Sequence, residues 1–417
     1  MGIGTFVNRS TRPAAVTARR SRPASGDLVL VAVVIALGIF GLLMQYSAGT
    51  DFSLRMYGSA NYIFNKQLLW MACGMLIAFI LSRVDYHLWR KLAVPLMGVT
   101  VVLLVAVLIN NEVRNNAVRT FFGGSVQPSE LAKLAIILYL SVWLYSKREQ
   151  LHDIALGLIP LAVILGVIGG LIFSQPDLSA AVTIFLLGGL LFFLAGGDIR
   201  QIILFSVVAL AAGWLVVQFS HTGKARIGPY IAGLKDPLQS SDHVLWSLEA
   251  IFKGQLFGVG IGRATTKLIG LPFAATDSIF AVIVEELGLF GAISLTSLYA
   301  LLAWRGLKIA SRAKDSLGSV MAAGLTFWIV LEAAINMAVM VGLLPFAGNA
   351  LPFVSAGGSN LLSTLAAIGI LLNISRKSGS AVHEPGERNT YSASVDLRRR
   401  DRRRSVSRTR RSANHAR

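Results

Sequence analysis

Ten runs of about 16 to 29 predominantly apolar residues, strung along most of the 417-residue chain, leave it few ways to fold. Runs of that length cross the roughly 30 Å hydrocarbon core of a bilayer as helices, each residue adding about 1.5 Å. They fall at approximately 27–47, 67–82, 92–109, 130–146, 154–173, 178–196, 201–220, 277–304, 316–344 and 358–375. With 54% hydrophobic and only 14% charged residues, the chain is too apolar for a soluble multidomain enzyme. It reads as an all-α polytopic membrane protein with about ten transmembrane helices. Residues 1–26 form a basic tail, 27–375 the membrane domain and 376–417 an Arg-rich disordered tail.

Cations orient the spans. One alternating set of short loops holds Arg83, Arg90, Lys91, Lys147, Arg148, Arg200, Arg305, Lys308, Arg312 and Lys314; the other holds only Arg55, Lys66, Arg114 and Arg119. The positive-inside rule assigns the first set to the cytoplasm. Both termini then lie there too, and the long loop between helices 7 and 8, residues 221–276, is external. The protein is thus expected to be a multi-pass protein of the cytoplasmic membrane. Arg9, Arg12, Arg19, Arg20 and Arg22 resemble a signal-peptide flank, but the following run is long and lacks an evident cleavage site, so it reads as a retained span. The C-terminal tail sets thirteen Lys and Arg against Glu384, Glu387, Asp396 and Asp401, carrying half of the formal +18. Such a tail is drawn to anionic lipid or docks a partner; a nucleic-acid role is not expected. Cys73, the only cysteine, has a packing role, and the six histidines show no ligand spacing, so no metal site is expected from them.

Carboxylates inside apolar runs need a reason, because insertion of a charge near the bilayer centre costs at least about 2.5 kcal/mol. Asp277 opens the eighth run, and Glu285 and Glu286 follow within it. At about 100° per residue, Glu285 lies roughly 80° around a helix from Asp277 and Glu286 roughly 180°. The three cannot share one narrow cavity. Asp277, at the external mouth, is the candidate for chemistry, with a helix N-cap as the alternative; at least one glutamate is expected to bond between helices.

Three other segments are polar or rich in Gly and Pro where a plain membrane helix would not be. In QPSELAK (127–133), Pro128 and Glu130 suit a helix start, while Lys133 shares a face with Glu130 deeper in the membrane; the pair either caps the helix or lines a cavity that receives phosphate. In QPDLS (175–179), Asp177 is ordinary turn chemistry or a ligand contact. In 342–362, Pro345, Pro352, Gly357 and Gly358 break any helix, giving a re-entrant wall to the same cavity or a surface loop. Ahead of it, Glu332 and Asn336 share a face at i,i+4. In the external loop, Val244, Leu248, Ile251 and Phe252 form an apolar stripe that is expected to rest on the membrane, with Trp246 at the interface. Gly254, Gly258, Gly260 and Gly262 do not spell a nucleotide fingerprint. Lys267 is a solvated cation or an anion contact at the cavity rim.

In their order and spacing these motifs resemble the SEDS family (shape, elongation, division and sporulation proteins), over approximately residues 27–375; the stretch 56–70 looks more like its FtsW than its RodA members. The resemblance implies a ten-span peptidoglycan glycosyltransferase that polymerises lipid II at the outer face of the membrane, in cell division. Its partners would be a class B penicillin-binding protein and other divisome or elongasome membrane proteins. It implies that Asp277 is the essential aspartate and that Arg119, Glu130 and Lys133 belong to the central cavity; Gln127, Asp177, Lys267, Ser355, Gly357 and Gly358 are further candidate substrate contacts. Thr120, Glu332 and Ala356 depart from the family pattern, which usually has Trp, Gln and Tyr there. A divalent cation could assist, but no residue pattern specifies a cofactor. The rival readings are a flippase for the lipid-linked precursor and a noncatalytic scaffold for cell-wall synthases.

Overall fold

Caps and breakers decide where the apolar runs become helices. The computed structural model describes residues 26–110 and 127–379, and all regular structure among them is helical. The long helices are α1 (Leu28–Tyr57), α2 (Tyr62–Arg83), α3 (Trp89–Asn110), α4 (Pro128–Lys147), α5 (Ile159–Phe173), α6 (Leu178–Leu194) and α7 (Ile199–Phe219). In the long loop follow α8 (His221–Lys235), α9 (Asp242–Gly254) and the short α10 (Thr266–Ile269), before α11 (Ile279–Ser311), α12 (Ser316–Met340) and α13 (Gly358–Gly379). Asp27 caps α1 by accepting from the Leu30 amide (3.0 Å), and Asp315 caps α12 through the Gly318 amide (2.9 Å). Pro128 stands in the first turn of α4, where its missing N–H costs nothing.

Nine apolar helices among the described residues are long enough to cross a membrane, α5 counted with the π-helical turn (Ile154–Leu158) that leads into it, and α6 is a shorter apolar helix. The ten expected runs therefore all appear as helices, and this is a multi-pass membrane protein. Their ends shift. The first run was expected to stop near residue 47, yet α1 continues to Tyr57, because no breaker intervenes until Gly58 takes φ 68° and donates its amide to the Leu54 carbonyl. Residues 25–378 form one compact unit. Its interior is built from α4, α6, the first half of α11, α12 and α13, with Leu138, Leu191, Ile283, Trp328 and Leu371 among the buried side chains. α7 stands at the edge and exposes Ile203, Val207, Leu210 and Trp214.

At one end, charged groups tie helix ends together. Arg305 donates through Nε to both carboxylate oxygens of Asp27 (3.1 and 3.0 Å), fixing α11 to the start of α1. His87 lies 2.7 Å from Asp85 Oδ1 and 3.0 Å from Asp315 Oδ2, while Lys377 donates to Asp85 Oδ2 (2.7 Å). Burial would raise the Asp85 pKa, but hydrogen bonds from Lys377 and His87 hold it well below the usual carboxylate range. The motifs singled out in the sequence gather at the opposite end.

The loop between α7 and α11 divides the apolar stripe: Val244 turns inward, Leu248 and Ile251 are half-buried and Phe252 is exposed. α9 buries Val244, Ser247, Ala250 and Gly254 against α11 and α12, whereas Phe252 points away, 81% exposed. Apart from Val244, the buried side of this helix is made of small residues. The glycines that follow have a backbone task. α11 breaks at Gly288 (φ 66°, ψ −161°), and the loop pairs with the break: the Val259 and Gly260 amides donate to the Glu285 and Glu286 carbonyls (2.9 and 3.0 Å), and Leu289 donates to the Gln255 carbonyl (2.9 Å). A Cβ at Gly258 or Gly288 would run into the facing backbone. That region of φ/ψ space is essentially reserved for glycine and costs other residues of order 1–3 kcal/mol. Gly288→Ala should therefore lower the thermal unfolding midpoint in detergent, whereas Gly170→Ala, a helical position with open space around it, should leave it unchanged or raise it.

Candidate active site

The site starts from one ammonium shared by two carboxylates. Lys133, in the second turn of α4, donates to Glu130 Oε1 (2.8 Å) and to Glu332 Oε1 of α12. Asn360, near the start of α13, donates through Nδ2 to Glu130 Oε2 (2.9 Å) and reaches Glu332 Oε2 at 3.5 Å. All four residues are buried. Pairing lets charge persist at membrane depth, since the ammonium and carboxylates offset one another where water cannot. The network also stitches α4, α12 and α13. The sequence placed Glu130 and Lys133 together through their spacing; Glu332 and Asn360 come from distant segments, and only the fold delivers them.

One turn further along α12, about 6 Å by helix rise, Asn336 donates through Nδ2 to the Asp277 and Asn349 carbonyls (2.8 and 2.6 Å). Asp277 precedes α11, whose N-cap position is Ser278. It is half-buried and lies beside Gly348: a Cβ built there would sit 3.5 Å from Asp277 Oδ2. The segment 343–357 behind it is irregular, and its residues 351–355 are buried, as a re-entrant wall must be. Its polar groups find partners inside the protein. Ser355 Oγ donates to the Thr276 carbonyl (2.6 Å) and accepts from the Leu351 amide (2.7 Å), the Ala356 amide donates to the Ala275 carbonyl (2.9 Å), and Gln45 Nε2 donates to both Ala275 and Val354 carbonyls (2.6 and 2.8 Å).

The remaining candidates divide. Asp177 caps α6 and accepts from Gln127 Nε2 (2.8 Å), Ser129 Oγ (2.9 Å), Ser179 Oγ (3.0 Å) and the Ala180 amide (3.2 Å). It fastens the start of α4, and the Gln127 amide in turn donates to Ser359 Oγ (3.3 Å). Gly357 and Gly358 lead into α13, Gly358 packed against Trp70. Lys267 is not a solvated cation: its buried ammonium donates to Glu286 Oε1 (2.8 Å) and to the Ser47 carbonyl of α1 (3.0 Å). Glu285 holds α10 by accepting from the Thr265 amide (2.8 Å) and the Thr266 hydroxyl. The two glutamates thus bond between elements, and the three carboxylates point to three places, Asp277 from the turn ahead of α11 rather than from the helix. Arg119 and Thr120 lie outside the described residues, as do the tail residues before 26 and after 379. Among the described residues, no group of three or more His, Cys, Asp or Glu is placed to hold a metal ion.

The whole arrangement spans the region matched by a single family profile, that of the FtsW, RodA and SpoVE cell cycle proteins, at residues 27–380. The chain belongs to this family. A probable peptidoglycan glycosyltransferase FtsW of Trichlorobacter lovleyi is 38% identical over 359 residues, covering 85% of this chain and 94% of the relative. Stage V sporulation protein E of Bacillus subtilis is 35% identical over 363 residues, covering 86% and 99%. Among solved structures, one described as a peptidoglycan synthase complex coordinating polymerization and crosslinking superposes with a TM-score of 0.70 at 26% identity, covering 85% of this chain and 98% of that one. RodA of Thermus thermophilus gives 0.62 at 27% identity, covering 84% and 97%.

Within this member of the FtsW, RodA and SpoVE family, several residues around the site were missed in the sequence: Gln45, Ser47, Gln67, whose Nε2 donates to the Ser355 carbonyl (3.2 Å), His243 and Asn360. A polar residue inside an apolar run is the signal that would have found the first two. His243 stacks on Phe346, ring centroids 3.7 Å apart, with Nδ1 3.2 Å from Ser278 Oγ. Burial pushes its pKa down to about 4, Asp242 opposing and Arg226 adding to the effect.

Two predictions follow from this geometry. Lys133→Ala should lower the unfolding midpoint more than Lys133→Arg, because stripping the cation from a buried pair typically costs about 3–5 kcal/mol, and adding Glu332→Gln to Lys133→Ala should recover part of the loss. For His243, the unfolded chain takes up the proton first as pH falls, so stability should decline between about pH 6.5 and about 4 and show no further loss from this group below that. His243→Phe, which keeps the stack but cannot titrate, should flatten that part of a midpoint-against-pH curve.

Proposed function

We propose that this protein is a peptidoglycan glycosyltransferase of cell division, polymerising lipid II into glycan strands at the outer face of the cytoplasmic membrane. The observation that carries the reading is the placement of a half-buried carboxylate, Asp277, one turn of α12 from the Lys133 network at one end of the bundle. The relatives named as FtsW glycosyltransferases support the reaction class. Positive loop charge supports placing Asp277 outside and both termini in the cytoplasm, since Arg90, Arg305, Lys308 and Lys314 all lie at the opposite end. The similarity to a synthase complex supports a class B penicillin-binding protein as the partner.

In the proposed step, Asp277 accepts the proton of the acceptor sugar hydroxyl as its oxygen attacks the donor anomeric carbon. The glycosidic bond forms while the bond to the lipid diphosphate breaks, and the diphosphate leaves with the electron pair. General-base assistance of this kind contributes about 10²–10⁴ in rate. Lys133 and Arg119 would stabilise the departing diphosphate. Lys133 is held by both Glu130 and Glu332, so it would have to loosen one of them to do so. Asp177, Gln127 and Ser355 would act by holding α4 and the re-entrant wall in place, with Gly357 and Gly358 allowing close approach at the start of α13. Lys267 would set the height of α10.

Asp277→Asn preserves shape but cannot serve as a base near neutral pH. The purified variant should unfold at the wild-type temperature and bind lipid II, yet lose glycan synthesis by at least about 10²-fold. Near wild-type polymerisation by well-folded protein would refute the role assigned to Asp277, and transport of labelled lipid II across vesicles without polymer would favour the flippase.

A further inference from the structure

The end of α9 and the loop after it expose more apolar side chain than a watery segment should. Phe252, Leu256, Phe257 and Ile261 are all exposed, Phe257 by 76%, and Phe257 stacks on Phe290 of α11, itself exposed, with ring centroids 5.2 Å apart. How deep this loop lies can be read along two helices. Asp27 and Arg305, paired with each other, mark one end of the apolar spans of α1 and α11. Twenty residues separate Asp27 from Ser47, about 30 Å of helix, so the layer of Ser47, Glu286 and Lys267 lies at the far edge of the hydrocarbon. Fifteen residues separate Arg305 from Phe290, about 22 Å, with no break between them. The Phe290 amide donates to the Leu256 carbonyl (3.3 Å), which puts the loop at that same level, several ångströms below the polar layer.

Backbone chemistry agrees. Irregular backbone at such depth must be satisfied by protein. Here the Gly258 amide donates to the Gly254 carbonyl (2.7 Å), Val259 and Gly260 donate to the carbonyls freed by the break in α11, and the Gln255 and Leu256 carbonyls accept from Leu289 and Phe290. On α11, Leu289 and Ile293 continue the exposed apolar surface beside Phe290.

We propose that residues 252–261 form a wedge immersed in the leaflet nearest Asp277, with Phe252, Leu256 and Phe257 in contact with lipid acyl chains. The wedge fixes the height of the segment that leads through α10 to Asp277. The occupant is lipid, because the exposed side chains continue the lipid-facing surface of α11, and Lys253, the one charged residue in the segment, pairs with Glu249 (2.8 Å).

The test uses the full-length protein in vesicles of phosphatidylethanolamine and phosphatidylglycerol, in a Cys73→Ser background. Nitroxide labels placed through Phe252→Cys and Phe257→Cys are read by collision with oxygen, which concentrates in hydrocarbon, and with a water-soluble nickel chelate. Ile293→Cys is the lipid reference and Gln239→Cys the water reference. Both loop positions should show the oxygen-to-nickel ratio of Ile293. A ratio like that of Gln239 would overturn the proposal by placing the loop in water. Protection from both reagents would overturn it equally, by placing protein over the wedge.

Discussion

Hydrocarbon offers no hydrogen bonds, and that constraint organises everything irregular in this molecule. Each departure from helix at membrane depth is matched by a protein group that takes over the work of water. The break at Gly288 is met by the amides of Val259 and Gly260; the wall at 351–356 is met by Gln45, Ser355 and the 275–276 carbonyls. Asp277 owes its position to this exchange of backbone bonds more than to any helix, since Asn336 and the re-entrant turn hold the peptide on both sides of it.

The same rule, applied to charge, separates two kinds of carboxylate. Glu130, Glu285, Glu286 and Glu332 lie buried, bonded to lysines, threonines, a serine and an asparagine. Asp277 is only half-buried and faces the segment around Gly348. A buried carboxylate engaged on both oxygens serves architecture, whereas Asp277 is held through its backbone carbonyl and keeps its side chain partly exposed. Polarity of sequence alone would have put all five in one class.

Much of the architecture was legible. Ten runs of the right length yielded ten apolar helices because in a membrane length and apolarity decide almost everything. Helical periodicity separates Glu285 from Glu286 on α11, whereas Asp277 stands ahead of the helix and is directed by the turn. Ion-pair partners were not legible: nothing in the spacing joins Lys133 to Glu332, or Lys267 to Glu286 and Ser47, and Lys267 looked like a loop cation because its neighbours are polar. The inner face of α9 was not legible either, for a different reason. Close packing against α11 selects small residues, so Ser247 and Gly254 go inside while Phe252 stays out.

The two polar layers that join α1 to α11 make a rigid pair of helices of set length. Asp27 and Arg305 pin them at one end, and Ser47, Glu286 and Lys267 pin them about 30 Å away. A bilayer thicker or thinner than that separation cannot be met by sliding one against the other without breaking buried ion pairs. Adjustment then falls to helices with few internal ties, above all α7, whose long apolar surface is free to tilt. Membrane thickness would thus be felt as a change in the angle between α7 and the core, while the walls around Asp277 keep their spacing.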